Sequence, residues 1–182
     1  MTRNSLVARV LVLVLVAASP ALAQLAPVPP FALWKDYAPP EGGFLIKAPG
    51  APQVRPWNDG ALAARHYLMG SVEESYSVTV IELPTEGRGG LDDAGVAAVF
   101  AKRAIDSMQP EKIESDEPTT CAGGVSGRAL VATLADGLRY VGRICVGAAR
   151  VFRIEAVIEA TRWTVAEPSA KGFLDSFRPG LR

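Results

Sequence analysis

The chain has 182 residues, balances 19 Lys+Arg against 19 Asp+Glu, and carries one histidine and two cysteines. Neutral overall charge provides no field to hold nucleic acid, and one histidine with two cysteines cannot build a zinc site of the usual N/S kind. A 49% hydrophobic and 21% charged composition excludes disorder as the main state.

The first 23 residues read as a cleavable signal peptide. Arg3 and Arg9 form a basic start, Val10 to Ala18 is an uncharged apolar run, and Ala21-Leu22-Ala23 supplies small residues at −3 and −1. Cleavage is therefore expected between Ala23 and Gln24. Ser19-Pro20 interrupts the apolar run short of the roughly 20 residues that a membrane span needs. Gln24, rather than Cys, follows the cleavage point and closes the lipoprotein route. Removing residues 1–23 takes two arginines and no acid, which leaves 17 basic against 19 acidic side chains in 159 residues. A chain of that length forms one domain. A periplasmic or secreted protein without a membrane span is expected, and a monomer is assumed.

Residues 24–42 form a Pro-rich lead-in with Phe31, Trp34 and Tyr37 between the prolines. It is expected to be extended and unpaired, laying its aromatics on the body. A single α+β domain over 43–178 follows. Short strand-like runs are expected at Phe44–Lys47, Pro52–Trp57, Leu62–Met69 and Tyr76–Leu83, the last with strict alternation. After Gly87-Arg88-Gly89-Gly90, residues 91–109 carry Val96, Phe100, Ala104 and Met108 at helical spacing. Asp92 can cap that helix and Pro110 stops it. Four strands are expected at 112–120, 125–134, 138–146 and 150–158, with Asp136-Gly137 as a two-residue hairpin turn. A last helix over roughly 165–177 carries Ala170, Phe173, Leu174 and Phe177.

The punctuation of these elements resembles a known family. Gly43-Phe44 followed by Pro49-Gly50 and Pro52 resembles the GGF-x-I-x-x-PG-x-P opening of PsbP-like and DcrB-like exported bacterial proteins. Gly123-Gly124-Val125-Ser126-Gly127-Arg128 is similar to their GG-x-x-GR turn into a strand, and Phe173-Leu174-Asp175-Ser176-Phe177 to their closing FLDSF. The resemblance spans roughly residues 37–178. It implies a central antiparallel sheet with helices on both faces, as in photosystem II extrinsic proteins and a Ran-binding transport factor. It also implies an accessory or interaction role, and it carries no catalytic residues over. The family pattern usually lacks cysteines at positions 121 and 145.

Chemistry-bearing residues are sparse. A nucleophilic triad would have to use His66, which stands on a strand, and no Gly-x-Ser-x-Gly elbow exists. Gly87–Gly90 lacks the Gly-Lys-Ser/Thr ending of a phosphate loop. Glu73-Glu74, Asp92-Asp93 and Asp116-Glu117 read as solvated loops or caps, and Trp34, Trp57 and Trp163 as core or edge packing. No catalytic residue, metal site or cofactor is expected. Export favours a disulfide between Cys121 and Cys145. A flat hairpin would set those cysteines more than one strand apart, so a bridge needs Gly123-Gly124 to fold Cys121 back over the sheet end.

The last strands hold a sharper feature. A three-residue turn at 147–149 pairs Val146 with Arg150 and Ile144 with Phe152, collecting the apolar residues on one face. Arg128, Arg143 and Arg153 then share the opposite face, either within a salt-bridge network or as forks for a carboxylate or phosphate. The expected function is a non-catalytic exported accessory module, binding an envelope protein or a small anion through that face. The alternative is a periplasmic hydrolase with an unrecognised active site.

Overall fold

The computed structural model describes residues 28–180. The expected signal peptide and its Ala23/Gln24 junction lie outside the described residues. A single 3-10 turn at Phe31–Leu33 leads into β1 (Lys35–Tyr37), β2 (Phe44–Ala48), β3 (Gln53–Asp59), β4 (Leu62–Gly70) and β5 (Glu74–Glu82). Then come α1 (Asp93–Met108), β6 (Lys112–Thr120), β7 (Ser126–Thr133), β8 (Leu138–Val146), β9 (Arg150–Glu159), α2 (Trp163–Ser176) and β10 (Arg178–Pro179). Seven strands form one antiparallel sheet in the order β3-β4-β5-β9-β8-β7-β6, and β1-β2-β10 form a small second sheet.

The helix at 93–108 forms where the periodicity places it. Asp92 accepts a hydrogen bond from the Gly95 amide at 2.7 Å, satisfying one of the free N–H groups of the first turn. Val96, Phe100 and Ala104 are buried along the stripe, and Gln109 ends the helix in a left-handed conformation just before Pro110. The helix packs on β7 and β8. Its cluster takes Leu130, Ala132, Tyr140, Ile144, Val146 and Val151 from the sheet, with Ala64 and Ile81. Residues of the opposite parity, including Tyr67, Tyr76, Val78, Val141, Cys145, Phe152, Ile154 and Ile158, form a larger cluster with Ala166, Ala170 and Phe173 of α2. Both exposed edges of the large sheet carry a proline, Pro56 on β3 and Pro118 on β6, which denies a further strand a continuous ladder.

Two sequence expectations need correction here. The lead-in does not stay unpaired: Lys35–Tyr37 pairs with Ala48–Ile46, and Trp34 is buried against Tyr76 and Phe173 at 4.7 and 6.1 Å. The gap between Pro30 and Pro39 leaves enough free amides for one short ladder. The second correction concerns register. Asp136-Gly137 is joined by Ala135 in a three-residue loop, so Gly127 faces Cys145 and Thr133 faces Arg139. At the next hairpin Val146 faces Val151, not Arg150. Each hairpin is thus displaced by one residue. Gathering the apolar residues on one face is no guide here, because β8 and β9 bury apolar side chains on both faces.

Cys121 and Cys145 form a disulfide with Cα atoms 6.0 Å apart. A 3-10 turn over Ala122–Gly124 brings Cys121 back until its amide bonds the Val125 carbonyl at 2.9 Å. The sulfur then lies over Gly127, the residue paired with Cys145. A Cβ on Gly127 would sit 2.7 Å from that sulfur and 2.5 Å from the Ile144 carbonyl oxygen. A bridge across an intervening strand is possible because that strand has no side chain there.

The loop model gives this cross-link, at a sequence separation of 24, about 3.5 kcal/mol of stabilisation. Reduction is expected to lower the melting temperature by roughly 10 °C. Gly127→Ala is expected to lower it further under oxidising conditions. Calorimetry with and without reductant checks both.

Candidate functional site

The register lays out the sheet face that α1 partly covers in rows. One row runs Arg55, His66, Thr79, Arg153, Ile144 and Arg128 on successive strands. The next runs Gln53, Leu68, Ser77, Glu155, Gly142 and Leu130. Because α1 packs on β7 and β8, the β3-β4-β5-β9 part of these rows is left as a polar quadrant.

Glu155 is the centre of that quadrant. Its Oε1 accepts from the Tyr140 hydroxyl at 3.0 Å and its Oε2 from the Ser77 hydroxyl at 3.2 Å. Tyr140 reaches it diagonally across Gly142, where a Cβ would stand 2.3 Å from the phenol oxygen. Burial first, and then the Glu155 charge, raise the Tyr140 pKa well above the ordinary phenol value, so it stays a donor. Arg153 Nε lies 2.9 Å from Glu155 Oε1 as an ion pair, but its N–H is directed off that line and makes no hydrogen bond. Burial opposes the Arg153 charge, yet Glu155, Tyr140 and Asp59 outweigh it and raise the pKa above the ordinary arginine value. Among the described residues, no hydrogen bond reaches the Arg153 Nη atoms.

His66 Nδ1 shares a hydrogen bond of 2.9 Å with Thr79 Oγ1. Burial is the largest influence on its pKa and lowers it; Arg153 and Arg55 act the same way, against Glu155. At neutral pH His66 is therefore uncharged. Trp57 stands on the rim, 50% exposed, with its ring 6.1 Å from the imidazole. Arg103 from α1 approaches Asp59 of β3 at 3.8 Å.

The three arginines singled out from the sequence do not share a face. Arg128 and Arg153 lie in one row with Ile144 between them, whereas Arg143 lies opposite Ala129 and Ile154 on the other face. Arg128 is spent on Asp116, by Nε to the carboxylate at 2.5 Å and Nη2 to the backbone carbonyl at 3.1 Å. Arg143 bonds the Leu174 carbonyl at 3.2 Å and Asp175 at 2.6 Å, at the end of α2. Of the three, Arg153 alone belongs to the quadrant. Asp116 and Glu74 depart from their reading as solvated groups: Asp116 is the partner of Arg128, and Glu74 is buried, accepting from Tyr76 with Arg162 at 3.5 Å. Sequence reasoning missed Ser77, Thr79 and Tyr140 as polar partners. For Ser77 and Thr79 the signal was faint, polar positions alternating with Tyr76, Val78 and Val80 on a strand that both faces bury, and Tyr140 on β8 read as an ordinary strand aromatic.

Among the described residues, no group of three or more His, Cys, Asp or Glu is placed to hold a metal ion, and no helix is long and apolar enough to cross a membrane. Two cavities of about 360 and 470 Å³ lie outside the quadrant, one beside β1 and lined in part by Lys35 and Asp36, the other beside the β3–β4 turn with Glu82 on its wall.

No protein-family model and no curated protein matches the chain. Solved structures do resemble it. The solution structure of cyanobacterial PsbP from Synechocystis aligns with a TM-score of 0.56 at 16% identity, over 80% of this chain and 91% of that one. A Pseudomonas aeruginosa protein of unknown function, PA94, aligns with a TM-score of 0.50 at 13% identity, over 82% and 99% respectively.

Two predictions follow from the charges. Glu155→Ala removes the buried counter-ion of half-buried Arg153 and the acceptor of Tyr140 and Ser77, and is expected to cost about 3 kcal/mol, against less than about 1 kcal/mol for Arg143→Ala at its exposed pair; urea unfolding compares them. The depressed His66 pKa means that the unfolded chain binds this proton more readily. Its contribution is therefore complete above the ordinary histidine value of about 6.5 and declines as pH falls below it. Stability measured against pH should lose that component in His66→Gln. At these alignments the likeness reaches the architecture alone: the chain has a PsbP-like fold.

Proposed function

We propose that this protein is an exported, non-catalytic accessory module that binds its ligand or partner on the β3-β4-β5-β9 quadrant. In this reading the sheet carries a helix on each face, one of them incomplete, and the uncovered part does the work. The observation that carries the proposal is Arg153, ion-paired with a carboxylate that already accepts from Ser77 and Tyr140, on a partly open face and with no hydrogen bond from the described residues to its terminal nitrogens. The disulfide and the PsbP-like fold support export.

The competing reading, a periplasmic hydrolase, draws its one support from the His66–Thr79 hydrogen bond. Thr79 is 0% exposed, so a substrate carbonyl has no path to its hydroxyl. A nucleophile must meet its substrate, and this one is sealed under its neighbours. The arrangement suits holding far better than turnover.

The test combines two measurements on secreted protein, whose intact mass is expected to begin at Gln24. A panel of esters, phosphoesters and peptides should show no turnover above the blank. Amide-shift mapping with a library of small organic molecules should cluster on β3, β4, β5 and β9. Turnover that vanishes in His66→Ala, or shifts gathered elsewhere, would overturn the proposal.

A further inference from the structure

The quadrant also specifies a ligand chemistry. Glu155 has both oxygens engaged, by Ser77 on one side and by Tyr140 and Arg153 on the other. It is therefore a fixed counter-ion beside Arg153, whose side chain keeps 18% of its surface exposed. Arg55, His66 and Arg153 follow one row, with Thr79 between the last two. At about 4.8 Å per strand the backbones of Arg55 and Arg153 stand about 14 Å apart. With Arg55 released from its exposed hydrogen bond to Gln53 Oε1 at 3.0 Å, two extended guanidinium side chains can close that span onto a group a few ångströms wide, above a neutral imidazole.

The charge count bears on which group. Arg55, Arg103 and Arg153 face Asp59 and Glu155, which leaves one positive charge in surplus. That surplus suits a monoanion, whereas a dianion would meet two fixed carboxylates. Trp57 lies two residues along β3 from Arg55, on the same face and beside the His66 ring. It offers a half-exposed aromatic surface within reach of the same group.

We infer that the quadrant is a subsite for a small aromatic carboxylate, its carboxylate held by Arg153 with His66 and Arg55, its ring against Trp57. This rests on the binding-module reading and narrows it. A planar guanidinium fork matches a carboxylate in two parallel hydrogen bonds, which a lysine cannot reproduce.

The experiment is calorimetric and amide-shift titration of the secreted protein with benzoate, with benzamide as neutral isostere, and with inorganic phosphate. Benzoate should saturate, shifting His66 and Trp57, while benzamide and phosphate bind at least roughly tenfold more weakly, a difference of about 1.4 kcal/mol. Arg153→Lys keeps a cation beside Glu155 and preserves the fold, yet should weaken benzoate by a similar factor. Arg55→Gln and Trp57→Ala, both at exposed positions, should each weaken it several-fold, and Arg143→Ala should not. Benzamide binding equally well, phosphate binding more tightly, or Arg153→Lys leaving affinity unchanged would overturn the inference. Neutral molecules clustering on this quadrant while benzoate does not bind would defeat carboxylate recognition and leave the binding-module reading standing. Benzoate shifts confined to another surface would defeat both.

Discussion

One carboxylate in the middle of a seven-stranded sheet ties its central strands together. Glu155 on β9 takes hydrogen bonds from Ser77 on β5 and from Tyr140 on β8, with Arg153 of its own strand as counter-ion. Burying a charge is costly unless every lone pair is matched. Here the matching groups come from both neighbouring strands, so this set of hydrogen bonds depends on the register of both. Moving β5 by one residue would put Tyr76 or Val78 opposite Glu155, and moving β8 by one would carry Tyr140 to the opposite face. Apolar alternation cannot exert that selection on strands buried on both faces. The network supplies the specificity that the apolar residues leave open.

This is also why much of the fold was legible and its register was not. A helix at 93–108 follows from a four-residue apolar spacing, an aspartate cap and a terminating proline, all local signals. The strands at 112–120 and 138–146 follow from turn chemistry at their ends. Pairing is non-local. Asp136 and Gly137 both take positive φ, as expected of a tight turn, but Ala135 joins the loop, and one residue changes every partner beyond it. That is how Arg143 was assigned to the face of Arg153 and stands on the other. Short-range chemistry marks where a hairpin is; the count of residues in its loop depends on what the two strands bury.

The two faces divide the labour. The α2 side is aromatic, with Trp34, Tyr76 and Phe173 in mutual contact and Phe44 packed on Tyr67 at 5.2 Å. Trp34 comes from the lead-in, so a segment that reads as a tether belongs to the core. The disulfide lies on this same side, crossing β7 at Gly127. Cross-link, aromatic cluster and small sheet all reinforce the α2 side, and the other side is left to one helix. The positions seen least well from sequence, Ser77, Thr79 and Tyr140, are those where strand residues serve the polar network instead of a core. Hydroxyl side chains on a strand read as ordinary half-exposed positions until their partners on the neighbouring strands are known.

A glycine and a tyrosine show how closely the site depends on this division. Gly142 on β8 lies beneath the Tyr140 ring, and any side chain there would displace the phenol from Glu155. Gly127 on β7 plays the corresponding part on the opposite face, beneath the Cys121 sulfur. In each case a strand gives up a side chain so that a neighbour can cross it, and strand propensity is sacrificed for a specific contact. At Gly127 the gain is a covalent tie between strands. At Gly142 it is a hydroxyl placed on a carboxylate, which fixes that carboxylate against Arg153. An arginine paired with a carboxylate that two other strands hold in place loses less conformational freedom when its other side meets an anion. The same residues thus fix the counter-ion beside Arg153, whose terminal nitrogens take no hydrogen bond from the described residues.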